Sequence, residues 1–311
     1  LAPVGRDGPE VALSPVAGCD YNTAMGPAAR VVRLARRVRP GHRHSTGSDA
    51  AAEGPVGFDP ERVLELGSAT ATGPRADNQD RAAVGPGWAV VSDGAGGHRG
   101  GARAAELTVE AVTATFAGAG AREPAQLDRA VQRANEAVRQ GRDDPEVPTM
   151  AATVTIALAG TVSGTGSTWW LTNVGDSPAW RVGPDGAVSL LPADNVAAEL
   201  VRVGMITEEE AASHPGRHQI TRAVGGLMGP ERTPVAVDLG PGECLVLASD
   251  GILALDTDAL AAIVTSGTSA QEIASALVTG ALAADATDNV TAVVVRHRTQ
   301  ADDGGSADGG R

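Results

Sequence analysis

Lysine is missing from this chain of 311 residues, so all 25 basic side chains are arginine. Aromatic residues are nearly as scarce, at 2%, while Ala, Gly and Arg are heavily used, a pattern of GC-rich genomic composition and not of chemistry. Cysteine occurs only as Cys19 and Cys244, the first in a low-complexity segment and the second inside an apolar run. That excludes a disulfide framework and a thiolate metal site, and it makes a reducing, cytoplasmic setting the expectation. An excess of base is also lacking: 38 acids against 25 bases give a formal charge of -13, which argues against a protein that grips nucleic acid over a broad face. No apolar run approaches the ~20 residues that cross a bilayer, and no apolar region follows the N-terminal charges as in a signal peptide, so no transmembrane segment is expected.

What is present is core-forming material, 42% of the residues being hydrophobic, enough for one large domain. Residues 1–60 are rich in Gly, Pro, Ala and Arg without a sustained period and read as a disordered leader. Within it, "ARVVRLARRVRPGHRH" has the spacing of a short basic amphipathic helix with Val31, Leu34 and Val38 on one face, though a solvated arm fits as well. Residues 299–311 read as a flexible acidic tail, leaving 61–298 as the folded domain. Strand-like segments there are "RVLELGSAT", "WAVVSD", "ATVTIALAG", "STWWLTNVGD", "VAVDL", "ECLVLASD" and "NVTAVVV". Helix-like segments include "GARAAELTVEAVTATFAG" with "PAQLDRAVQRANEAVRQ", and "TDALAAIVTSG" with "SAQEIASALVTGALAAD". Each of these pairs lies between strands. The order predicts an α+β layered fold of antiparallel sheets with helical hairpins packed outside.

Two strand-like runs, "WAVVSDG" and "LVLASDG", stop at the same tripeptide. Taken singly, each is a strand followed by an Asp-Gly turn. Together with "RADNQD" and "TDNVT" they set Asp80, Asp93, Asp250 and Asp288 at strand ends. Four carboxylates brought together without a cation would cost several kcal/mol in repulsion and desolvation, so either hard divalent metal binds there or the four do not meet. Zinc is disfavoured, because the 6 His form no ligand pair on a helix.

"GPRADNQD", "VVSDGAGGH", "LTNVGDS", "LASDGI" and "TDNVT", in that order, resemble the bacterial metal-dependent Ser/Thr protein phosphatases of the type 2C (PPM) family, and 193–226 resembles that family's flap. The resemblance runs from about residue 64 to 296. It implies a four-layer αββα sandwich, two antiparallel sheets flanked by helix pairs, with two Mn²⁺ or Mg²⁺ at one end. By matching motif, Asp93 would bridge the metals, the Gly94 carbonyl would bind one, and Asp250 and Asp288 would ligate the other with help from Asp80. Two such cations share a water, lower its pKa and present the nucleophile that attacks phosphorus. Arg75, in Arg-x-x-Asn-x-Asp, would hold the substrate phosphate through its planar fork. Asp176 would serve a third, weaker metal, or simply close a turn.

Several positions depart from the family pattern. Ala95 stands in the first Asp-Gly corner, "MAAT" occupies 150–153, Pro178 follows Gly-Asp-Ser, and Ala254 lies where some relatives carry an acid. With Ala95 in place of a histidine, the leaving-group proton would come from metal-held water or from His98. The leading expectation is a monomeric phosphatase acting on phosphoserine and phosphothreonine proteins and opposing a Ser/Thr kinase. Two others stand beside it, a pseudophosphatase kept as a binding module and a partner-switching phosphatase acting on an anti-sigma antagonist.

Overall fold

Five consecutive buried residues in "WAVVS" and "CLVLA", and six in "VTAVVV", leave neither face of these strands for solvent. A strand apolar on both sides has to be covered on both sides. These segments are β3 (Trp88–Ser92), β11 (Cys244–Ala248) and β12 (Val290–His297), all interior strands. The computed structural model describes residues 63–95, 98–117, 122–142, 150–226, 229 and 232–299, without the side chains of 98 and 99.

Two five-stranded antiparallel sheets carry the fold. One has the order β1-β12-β11-β8-β9, with β1 (Leu64–Ala71), β8 (Ala179–Gly183) and β9 (Gly186–Ser189). The other has the order β10-β7-β6-β3-β2, with β2 (Arg81–Gly85), β6 (Val154–Ser163), β7 (Gly166–Val174) and β10 (Val235–Leu239). A short pair, β4 (Gly94–Ala95) with β5 (Ala151–Ala152), extends from the second.

Alternation along the strands divides the core into three layers. Leu245, Leu247, Val293 and Val295 meet Ala89, Val91, Ala157, Trp169 and Leu171 between the sheets. Their alternates Val246, Val290, Ala292 and Val294 point outward beneath α5 (Thr257–Ser266) and α6 (Ala270–Ala283), against Leu260, Ile273 and Leu277. On the other side Val90, Val154, Ile156 and Leu158 lie beneath α1 (His98–Phe116) and α2 (Ala125–Gly141). In α2 the buried residues Leu127, Ala130, Val131, Ala134 and Val138 keep the three-four spacing of one helix face. Truncating a fully buried Leu or Ile in any layer should cost about 2–5 kcal/mol.

The expected α+β sandwich of two antiparallel sheets with helix pairs outside is thus the observed architecture. The pattern does not announce β2, β8 or β9: RAAVG, AWRVG and GAVS are as short as β3 and β11 but lack the unbroken apolar run that marks those two. Between β9 and β10 the chain makes the excursion expected as a flap. It holds α3 (Val196–Arg202), α4 (Glu208–Ser213) and a 3₁₀ turn (Pro215–His218). Asn195 caps α3 by accepting from the Ala198 amide, and Thr207 with Glu210 forms a reciprocal capping box on α4. Bridges Asn195↔Ile220 and Ala152↔Val224 tie the excursion down, the latter to β5. The leader, its basic segment and the tail beyond Thr299 lie outside the described residues, as does the His98 side chain.

Candidate metal centre

Strand ends bring the predicted acids to one end of the sandwich. Asp80 immediately precedes β2, Asp93 follows β3, Asp176 follows β7, Asp250 opens a 3₁₀ turn after β11, and Asp288 lies two residues before β12. The two tripeptide corners have a steric basis in their glycines. A Cβ on Gly251 would lie 2.1 Å from the Asn289 carbonyl oxygen, and one on Gly94 would lie 2.2 Å from that of Gly101 in α1. Only a residue without a side chain lets the backbone pass so close to its neighbour.

The acids are held by a dense hydrogen-bond frame. The Ser249 hydroxyl donates to Asp80 Oδ2 at 2.7 Å and accepts from the Thr291 amide at 2.9 Å. Asn289 braces the first loop, donating to the carbonyls of Thr72 and Asp77 at 2.8 and 2.9 Å and accepting from the Gln79 amide at 2.9 Å. Around Asp93, Thr153 is the hub. Its hydroxyl accepts from the Asp93 amide at 3.0 Å and pairs with the Ser177 hydroxyl at 2.6 Å, while its amide donates to the Asp93 carbonyl at 2.8 Å. Arg75 donates Nη2 to Asp288 Oδ2 at 2.6 Å and Nε to the Thr287 carbonyl at 3.0 Å, its side chain still 55% exposed.

Burial dominates the electrostatics, with mutual repulsion behind it. Asp93 is pushed well above the usual carboxylate range by burial and then by Asp80, Asp250, Asp288 and Asp176. Burial raises Asp80 to about 6 against hydrogen bonds from Ser249 and Thr291 that favour its charged form. Asp176 is raised to about 7 by burial and then by Asp250. Asp250 is raised by burial and then by Asp288, an effect opposed by His218 and Arg75. Five carboxylates that repel one another in a buried corner want positive charge.

Two oxygens identify where it could go. Asp80 Oδ1 and Asp250 Oδ1 are buried and have no hydrogen-bond partner. An orphaned buried carboxylate oxygen is a costly feature unless a ligand satisfies it. Among the described residues no three acid, His or Cys side chains close on one point as a complete cage. Mg²⁺ and Mn²⁺ do not require one, since such ions keep several waters and take only one or two carboxylates each. The donor set is all oxygen. The residues therefore fit hard divalent cations, with Asp288 already engaged by Arg75.

Asp80, Asp93, Asp176, Asp250 and Asp288 are brought into one interacting group, and Arg75 stands beside it. Gly94 begins β4 next to Asp93. Three further participants join them. His218, on the flap, places Nδ1 3.8 Å from Asp250 Oδ2. Asp194, buried at the flap's entry, accepts from the Gly175 amide at 3.0 Å beside Asp176 and pairs with Arg232. Ser249 braces an acid from the other sheet. The repeated Ser-Asp-Gly signalled Ser249, but nothing local signalled His218 or Asp194, which depend on how the flap folds back.

The sequence profile of the family described as "Protein phosphatase 2C" matches residues 74–284. A "Putative protein phosphatase 2C-type" of Streptococcus pyogenes is 32% identical over 225 residues, covering 68% of this chain and 86% of that protein. Among solved structures, the PPM Ser-Thr phosphatase MsPP of Mycobacterium smegmatis, crystallised with cacodylate, is 35% identical with a TM-score of 0.65, over 75% of this chain and 98% of that one. The catalytic domain of the serine/threonine phosphatase PstP, solved with 2 manganese ions, is 27% identical with a TM-score of 0.63 over 75% of this chain and 98% of that one. Against PstP of Mycobacterium tuberculosis at full length the match is 31% identical over 226 residues, 71% of this chain but 42% of that protein.

Proposed function

This chain belongs to the protein phosphatase 2C family and is a metal-dependent serine/threonine phosphatase, and on that premise we infer how its own residues divide the work. Asp93 would hold both of two divalent cations, Mn²⁺ or Mg²⁺. The Gly94 carbonyl would serve one of them, and Asp250 and Asp288 would serve the other with Asp80 beside them. Asp176 would serve a third, weaker site, where position 254 offers Ala in place of the acid some relatives carry. When bound, such cations activate water as a nucleophile at neutral pH and neutralise charge on the phosphoryl oxygens.

The remaining chemistry falls to the protein. Arg75 turns from Asp288 to the substrate phosphate, where its fork meets two oxygens at once. Ser249 and Asn289 keep Asp80 and the first loop from yielding to repulsion. The flap borders the approach to Asp250 through His218. Phosphoserine and phosphothreonine side chains of proteins are the substrates, made by a Ser/Thr kinase that this enzyme opposes. It works as a monomer in the cytoplasm, and no described helix is long and apolar enough to cross a membrane. The proton for the leaving group would come from His98 or from water held in the site.

The observation that carries this reading is the pair of partnerless buried oxygens, Asp80 Oδ1 and Asp250 Oδ1, inside a group of mutually repelling acids. The test is hydrolysis of an aryl phosphate and a phosphothreonine peptide in Mn²⁺, with and without chelator. Turnover should require the metal and disappear in Asp250→Asn while the variant stays folded. Chelator-resistant turnover, or wild-type rates in Asp250→Asn, would contradict the assignment.

A further inference from the structure

We propose that His218 is a substrate-orienting residue whose Nδ1–H, carried on the flap, donates to the phosphoryl group being hydrolysed. The inference rests on the phosphatase reading of the carboxylate group. Its own support lies in how the ring is held. The 3₁₀ turn that bears His218 is fixed by local bonds: the His214 ring accepts from the Gly216 amide at 3.0 Å, and the Val196 amide donates to the Gln219 carbonyl at 3.0 Å. Arg217 is pinned by donating Nη1 to the Ala212 carbonyl at 2.7 Å, and its Nε donates to His218 Nε2 at 2.8 Å.

A guanidinium can only donate, so His218 Nε2 is the ring's acceptor nitrogen. The proton of the neutral ring then resides on Nδ1. Nδ1 is the nitrogen turned toward the acids, and at 3.8 Å from Asp250 Oδ2 it is beyond hydrogen-bond reach. A donor is therefore aimed at the centre without being consumed by it. The side chain is 61% exposed, open to a group arriving from solvent. His218 and Arg75 reach the acids from two sides, one from the flap and one from the loop before β2. A phosphoryl group set against Asp250 would meet both.

The experiment uses the full chain loaded with Mn²⁺. Wild type, His218→Ala, His218→Asn and Arg217→Ala are compared by kcat and KM on p-nitrophenyl phosphate, by inhibition with inorganic phosphate, and by calorimetric Mn²⁺ and phosphate affinity. In His218→Ala, KM and the phosphate inhibition constant should rise about tenfold with Mn²⁺ affinity unchanged. His218→Asn, which keeps an N–H near Nδ1, should recover most of that loss. Ring ¹⁵N spectra should show His218 protonated at Nδ1 in wild type and released from that tautomer in Arg217→Ala. Unchanged KM and phosphate inhibition, a loss confined to Mn²⁺ affinity, or an Nε2–H ring in wild type would each overturn the proposal. If wild type shows no Mn²⁺-dependent turnover, the phosphatase reading fails instead. Calorimetric phosphate binding still judges His218 in that case, and equal affinities in wild type and His218→Ala would sink it.

Discussion

The corners after β3 and after β11 share the letters Ser-Asp-Gly, yet the serines do different work. Ser92 donates to the Thr153 carbonyl at 2.7 Å, a bond to the neighbouring strand segment of its own sheet. Ser249 reaches across the sandwich to Asp80, which precedes a strand of the opposite sheet. The first corner is braced by backbone and hydroxyl contacts around Thr153, and after burial the chief influences on Asp93 are the other acids. At the second corner, His218 and Arg75 soften the repulsion on Asp250. The same tripeptide thus makes one corner rigid and electrostatically raw, the other cross-linked and partly compensated.

That contrast yields graded predictions. The largest effect should come from the aspartates: Asp93→Asn and Asp250→Asn should each lower turnover about a thousandfold or more, as expected when a metal ligand is lost. The two differ by calorimetry, Asp93→Asn losing both Mn²⁺ binding events and Asp250→Asn one; equal losses would erase the distinction between the corners. Next come the glycines. Gly94→Ala and Gly251→Ala push a methyl into backbone, and urea unfolding should show each destabilised by about 2–4 kcal/mol.

The serines separate the corners more finely. Ser249→Ala strips a donor from a buried carboxylate and should weaken Mn²⁺ binding about tenfold, whereas Ser92→Ala should cost about 1 kcal/mol of stability with metal affinity intact. If both serines behaved alike, the cross-sheet strut would be of no consequence. The last effect is on pH. Asp80 and Asp176 sit near 6 and 7 in the fold, above an ordinary carboxylate, so between about 4 and 7 the folded protein holds protons that the unfolded chain has released. Stability of the metal-free protein should therefore fall as pH rises across that window and level off above it. Melting curves at pH 5.5 and 8 should show this, and Mn²⁺ should shrink the difference by taking the place of the protons.

Much of this was legible in the sequence because long two-faced strands and amphipathic helix pairs carry strong periodic signals. β12, with Val290 to Val295 all buried, is an example. β4 and β5, two residues each, have no period at all and exist because α1 and the flap press upon them. In the site, Asp80, Asp93, Asp250 and Asp288 were readable since each closes or opens a strand. His218 and Asp194 were not, because their relevance comes from a fold-back of the flap that no local pattern encodes. Asn289 was visible as a letter in "TDNVT", but its three bonds to the loop before β2 appear only when β1 and β12 lie side by side.

That adjacency has a consequence for synthesis. The sheet ending in β10 has all its strands once residue 239 has emerged, but β1 pairs along its whole length with β12 and must wait for residues 290–297. Asp250 and Asp288 lie beyond that point too. A nascent chain on the ribosome therefore cannot gather these two acids with Asp80 and Asp93 until residues 288–297 have emerged.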